Sequence, residues 1–126
     1  MMELLLDEYQ KGWALRCLRE AIDEVKMAKR DSRALGLIVD ALRKAQAAVY
    51  YSLGEPSLIE RIVEETTEGG LPPKNPILRF LVYMEETIKR LEHMREVYGD
   101  AAVIDETDRI ISMASKIVSL LTSIEN

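Results

Sequence analysis

The sequence predicts an all-α protein: an antiparallel four-helix bundle with an additional short helix between the second and third long helices. Three observations point there. Apolar residues recur every three or four positions through most of the chain. Each such stretch is bounded by residues that start or stop helices. The breaks between stretches are too short for domain linkers, so residues 1–126 form a single helical-bundle domain. At 126 residues, 48% hydrophobic and 31% charged, the chain can bury a core without covalent staples.

The first helix, residues 3–30, carries Leu6, Tyr9, Trp13, Cys17, Ala21, Val25 and Ala28 on one stripe, widened by Leu18 and Ile22. Acidic Glu3, Asp7 and Glu8 near its start, and Lys26, Lys29 and Arg30 near its end, complement the helix dipole. Gly12 weakens this helix and leaves room for a neighbour. Asp31 or Ser32 caps a second helix over 33–53, with Leu35, Ile38, Leu42, Ala45, Val49 and Leu53 in register. Alanines 41, 45, 47 and 48 make it slim, and Gly54 supplies a left-handed stop.

A short helix over 57–67 follows, with Pro56 in a first turn and Ser57 and Glu60 at capping-box spacing as competing starts. Gly69-Gly70-Leu71-Pro72-Pro73-Lys74 is the one true break and reads as a rigid crossover loop. Asn75-Pro76 opens a fourth helix over 76–98, with Ile77, Leu81, Met84, Ile88, Leu91 and Tyr98 on one stripe. Gly99 ends it and Asp100 caps the last helix, 101–124, which aligns Val103, Thr107, Ile110, Ala114, Ile117, Leu121 and Ile124. Short connections near 31 and 99 favour two antiparallel hairpins, one from the first two long helices and one from the last two.

Charge and cysteine usage narrow the function classes. Net charge is −5, with nine Lys/Arg against eight Asp/Glu in residues 1–50 and eight against fourteen afterwards. A generic nucleic-acid binder carries a basic stripe and a basic balance, and this chain has neither. The single cysteine allows no intrachain disulfide, which favours a reducing cytosol. The opening Met1-Met2-Glu3 lacks a basic n-region, so no signal peptide is expected, and no apolar run approaches a membrane span. Asn and Gln number only four, a tilt seen in thermophile proteins.

Catalytic chemistry is sparse. His93, the only histidine, reads as a surface residue, since Arg90 stands where a Glu-x-x-His metal pair needs its Glu. Cys17 lies on an apolar stripe without a nearby base and reads as a small buried hydrophobe. Arg16, Arg19 and Lys26 lead a basic concentration on the first two helices, a candidate RNA or phosphate contact surface. Interleaved acids (Glu20 with Arg16, Asp40 with Arg43 or Lys44) read it instead as a salt-bridged, solvated face. Tyr50 and Tyr51, with Leu53, Leu58 and Ile59, form a candidate interface anchor; the alternative has both tyrosines packed beneath the Pro-Pro loop.

Glu64-Glu65-Thr66-Thr67-Glu68 places three carboxylates on neighbouring helix positions and is similar to the magnesium-binding helix of the all-α nucleotide pyrophosphohydrolases. Those enzymes use a second acidic helix of the form E-x-x-D. Here Glu86 is followed by Lys89 and Glu92 by Arg95, so the partner motif is missing. A solvated charged face is the plainer reading. Glu64, Glu65 and Glu68 remain the metal candidates, with magnesium as the cofactor under that reading and none otherwise.

One further resemblance covers Trp13 through Lys29 and then Ala41-Leu42-Arg43-Lys44-Ala45 through Tyr51-Ser52-Leu53-Gly54-Glu55. This pattern of alanine, leucine and charge resembles the opening helical hairpin of HEPN-type domains, small bundles of archaea and bacteria that partner minimal nucleotidyltransferases or act as ribonucleases. Their ribonuclease motif is an Arg and a following His with four to six residues between them. Before His93 those positions hold Glu86, Thr87 and Ile88, so the motif is absent. The resemblance therefore implies a non-catalytic binding or scaffolding subunit of a nucleotidyltransferase-type or RNA-processing complex. The expectation is a cytoplasmic, self-associating helical interaction protein; the alternative is a metal-dependent nucleotide hydrolase built around Glu64.

Overall fold

The computed structural model describes residues 8–94 and 101–123. These form α1 (Glu8–Arg30), α2 (Leu37–Leu53), α3 (Pro56–Gly69), α4 (Pro76–His93) and α5 (Ala101–Ser123), with no strand among the described residues. Small residues organise the core. In α1 the buried line is Ala14, Leu18, Ala21, Val25 and Ala28, an alternation of three and four that puts an alanine at every seventh position. In α2, Ala41, Ala45 and Ala48 are fully buried beside Ile38, Leu42 and Val49. Alanine seams let two backbones approach closely, while the larger residues between them fill the adjoining space.

α1 and α2 run antiparallel: Gln10 reaches Gly54 while Glu20 and Glu24 reach Lys44. α4 is antiparallel to α2 as well, with Glu85 on Gln46 and Glu92 on Arg43. α2 is the hub. It packs on α1, α3, α4 and α5, while α5 also lies on α1 and α3 lies on α4. α4 buries Leu81, Met84, Ile88 and Leu91, and α5 buries Ile110, Ile111, Ala114 and Val118. Each large aliphatic side chain fully removed from water contributes about 1.5–3 kcal/mol. The expected hairpin of the last two helices is not a close helix pair. α5 turns its buried face to α1 and α2, and meets α4 through the side chains of Tyr83, Arg90 and Glu106.

Several boundaries differ from the sequence expectation, each for a local reason. The chain after α1 forms a 3-10 turn, Ser32–Ala34, and α2 begins only at Leu37. Asp31 does not cap α2. Its carboxylate accepts from the Arg33 backbone N–H at 2.9 Å and holds the Arg33 guanidinium, so it is consumed within the turn. Gly54 ends α2 with φ +146° rather than in the left-handed helical region; the left-handed stop lies at Gly70, φ +76°, after α3. α3 starts at Pro56 because Glu55 caps it, accepting from the Ser57 N–H; the Ser57–Glu60 capping box is not used. α4 opens as expected on Asn75, whose Oδ1 accepts from Ile77 and Leu78 at 2.9 and 3.0 Å, with Pro76 following. It ends at His93. Leu6, Tyr98, Gly99, Asp100 and Ile124 lie outside the described residues.

Candidate interaction surface

The turn between α2 and α3 shapes an apolar hollow on the surface of the described residues. Gly54 adopts a backbone conformation that side chains resist, so the chain reverses within three residues. Pro56 and the Glu55 cap then fix the direction of α3. As a result Leu53 at the end of α2, Ile59 and Ile62 on α3, and Ile77 and Leu78 on α4 converge around a groove of about 290 Å³ with Leu81 in its lining. Asn75 is its one polar neighbour. α3 fully buries only Val63, so Leu58 stays 50% exposed and Ile62 40%.

A second feature lies where the start of α1 meets the end of α2. The Trp13 ring stacks on Tyr51 with centroids 6.2 Å apart, Tyr9 meets its edge at 6.3 Å, and the Arg16 guanidinium sits 5.1 Å from its centre. Tyr9 and Tyr51, with Gln10, Glu55, Ser57 and Glu60, line a cleft beside this stack. Aromatic faces and carboxylates together favour cationic groups.

Comparison with protein-family models, with curated proteins and with solved structures gives no match.

The predicted site residues therefore stand on their own geometry. Tyr50 is a correction. It is only 6% exposed and belongs to the core, where burial, with Glu85 adding, pushes its hydroxyl well above the usual tyrosine range. Tyr51 faces the Trp13 stack, whereas Leu53 and Ile59 line the groove between α2, α3 and α4, and Leu58 is exposed on α3 outside that lining. Neither tyrosine packs beneath Pro72-Pro73; that loop borders Thr66, Thr67, Val82 and Tyr83 instead. The i,i+4 spacing of Tyr9 and Trp13 was the signal for the aromatic stack, hidden because both looked like core residues.

Glu64, Glu65 and Glu68 are exposed on α3. Among the described residues no group of three or more His, Cys, Asp or Glu side chains is placed to hold a metal ion. His93 is exposed at the last position of α4. Cys17 is half-buried, and burial together with Glu20 raises its thiol pKa, which disfavours the nucleophilic thiolate. Of the basic residues, Arg16 pairs with Glu20 at 3.2 Å, whereas Arg19 and Lys26 are exposed.

Two polar clusters depend mainly on contacts between helices, which sequence spacing does not give; only the Lys44–Asp40 pair follows from i,i+4 spacing. Lys44 lies among Glu24 at 2.8 Å, Asp40 at 3.1 Å and Glu20 at 3.4 Å. Burial, and then Asp40, raise the Glu24 pKa, while hydrogen bonding from Glu24 and the charge of Lys44 lower that of Asp40. Across α2, buried Glu85 accepts from the Gln46 amide at 2.9 Å, and Arg43 bonds Glu92 at 2.9 Å. Both clusters join helices, and neither borders the apolar groove.

Proposed function

We infer that this chain is a non-enzymatic, self-associating interaction and scaffolding protein of the cytosol, an antiparallel four-helix arrangement carrying α3 as an accessory helix. The observation that carries this reading is the groove between α2, α3 and α4, whose lining is apolar except for Asn75. With Leu58 and Leu71 exposed nearby in sequence, at 50% and 80%, it leaves aliphatic surface that water solvates poorly. Grooves of this kind accept the apolar face of a partner helix. The HEPN-type pattern of residues 13–55 points to the partner class, a subunit of a nucleotidyltransferase-type or RNA-processing complex. Among the described residues no ligand set is assembled around Glu64 to support the hydrolase alternative.

The test is affinity capture of the tagged chain from its own source lysate, beside the Ile62→Asp variant, read by mass spectrometry and by 260/280 absorbance. Ile62 is partly exposed, so the variant keeps its fold. A stoichiometric partner that Ile62→Asp loses is expected. Capture of no partner, or of one indifferent to the variant, overturns the reading of the groove.

A further inference from the structure

The outward face of α1 holds a glycine that the single chain does not explain. Glycine inside a helix weakens it relative to alanine. Yet a Cβ built on Gly12 would meet nothing within 4 Å. On either side, one turn away, Tyr9 is 69% exposed and Leu15 44%. A gap flanked by exposed apolar side chains is what a second helix needs for close approach.

The charges on this face say which helix fits. Tyr9 borders the cleft that holds Tyr51, Glu55 and Glu60. Glu60 is exposed and has no ion pair among the described residues. Arg19 lies ten residues beyond Tyr9 on α1, about 15 Å along the axis. It too is exposed and without an ion pair among the described residues. A two-fold axis passing between Gly12 and Arg16 exchanges these two ends. It brings Arg19 of each copy towards the Tyr9 ring and Glu60 of the other, while the open space over Gly12 leaves room for the two helices to approach. The face is thus complementary to itself in charge and in shape, as an isologous interface requires.

We propose that a second copy of this chain covers this face, with α1 packing antiparallel on α1 and Arg19 of each copy entering the aromatic–acidic cleft of the other. The inference rests on the self-association read above, but it uses a different surface from the groove.

Sedimentation equilibrium of the full chain tests it. A dimer is expected, with Arg19→Glu and Glu60→Arg each weakening it at least about tenfold and high salt weakening it as well. Mixing those two variants restores a dimer, because both contacts of the mixed pair again oppose unlike charges. Gly12→Gln abolishes the dimer yet raises the melting temperature at concentrations low enough for the parent to be monomeric, a combination that a purely structural role for Gly12 would not produce. A dimer indifferent to all three substitutions overturns the α1 interface and leaves self-association standing. A monomer up to about 1 mM overturns both, while the groove reading is still judged by Ile62→Asp. A monomer that binds an oligoarginine peptide through Glu60 overturns the second copy as the occupant.

Discussion

Lys44 is ringed by Glu20, Glu24 and Asp40, and only the Asp40 contact, four residues away on the same helix, could be read from spacing. The other two cross from α1 and depend on how the helices pack. Of the two partners that spacing offered Asp40, Lys44 takes it and Arg43 reaches Glu92 on α4 instead. The Glu24 carboxyl carries a titration consequence. Its pKa is raised in the fold, first by burial and then by Asp40, and its Oε1 has no hydrogen-bond partner. A raised carboxyl pKa means that the folded chain holds this proton more tightly than the unfolded chain. The resulting stability is present below the unfolded value, about 4.3, and is lost as pH rises through the folded one. Glu24→Gln removes that loss and keeps an amide able to donate to Asp40. Urea unfolding across pH 4 to 7 should therefore show the variant gaining on the parent as pH rises. A difference that shrinks with pH would show that the charge pairing with Lys44 outweighs the burial of Glu24.

At the scale of the element, starts and stops were legible wherever a cap acts alone. Asn75-Pro76 does so, since one side chain satisfies two backbone donors and the proline needs none. The start of α2 was not, because the carboxylate that could have capped it is taken by Arg33. The buried face of α1 was half legible. Leu18, Ala21, Val25 and Ala28 were placed on the buried face, but Tyr9 and Trp13 drew the stripe toward their own bulk, while the true line runs on from Leu18 to Ala14. Hydropathy counts an alanine for little, yet alanines are what set the distance between α1 and α2. Ala21 is fully buried. Ala21→Leu adds three carbons where helices already touch, and overpacking of this kind costs about 1–3 kcal/mol. Denaturant unfolding should show that loss although leucine is a good helix former; an unchanged midpoint would mean that the seam is looser than the structure has it.

Across the whole molecule, chain order was a poor guide to which helices touch. A periodic stripe states that a helix has a buried face and is silent on what covers it, so α4 and α5 were paired by their short connection alone. In the fold both halves of the sequence meet on α2: α1 and α3 flank it from the first half, and α4 and α5 from the second. The loop over 70–75 that joins those halves carries exposed Leu71 and Lys74 and little of the core. Association of the halves therefore depends on burial of Leu81, Met84, Ile88 and Leu91 from α4, and of Ile110, Ala114 and Val118 from α5. Seven such side chains leaving water contribute far more than closing a loop of this length takes away. Residues 1–73 and 74–126, co-expressed as separate chains, should copurify in equal amounts and unfold in one transition, at a lower midpoint than the intact chain. Separate elution, with 1–73 folded alone, would remove α2 from its place as the shared core and return α4 and α5 to a hairpin of their own.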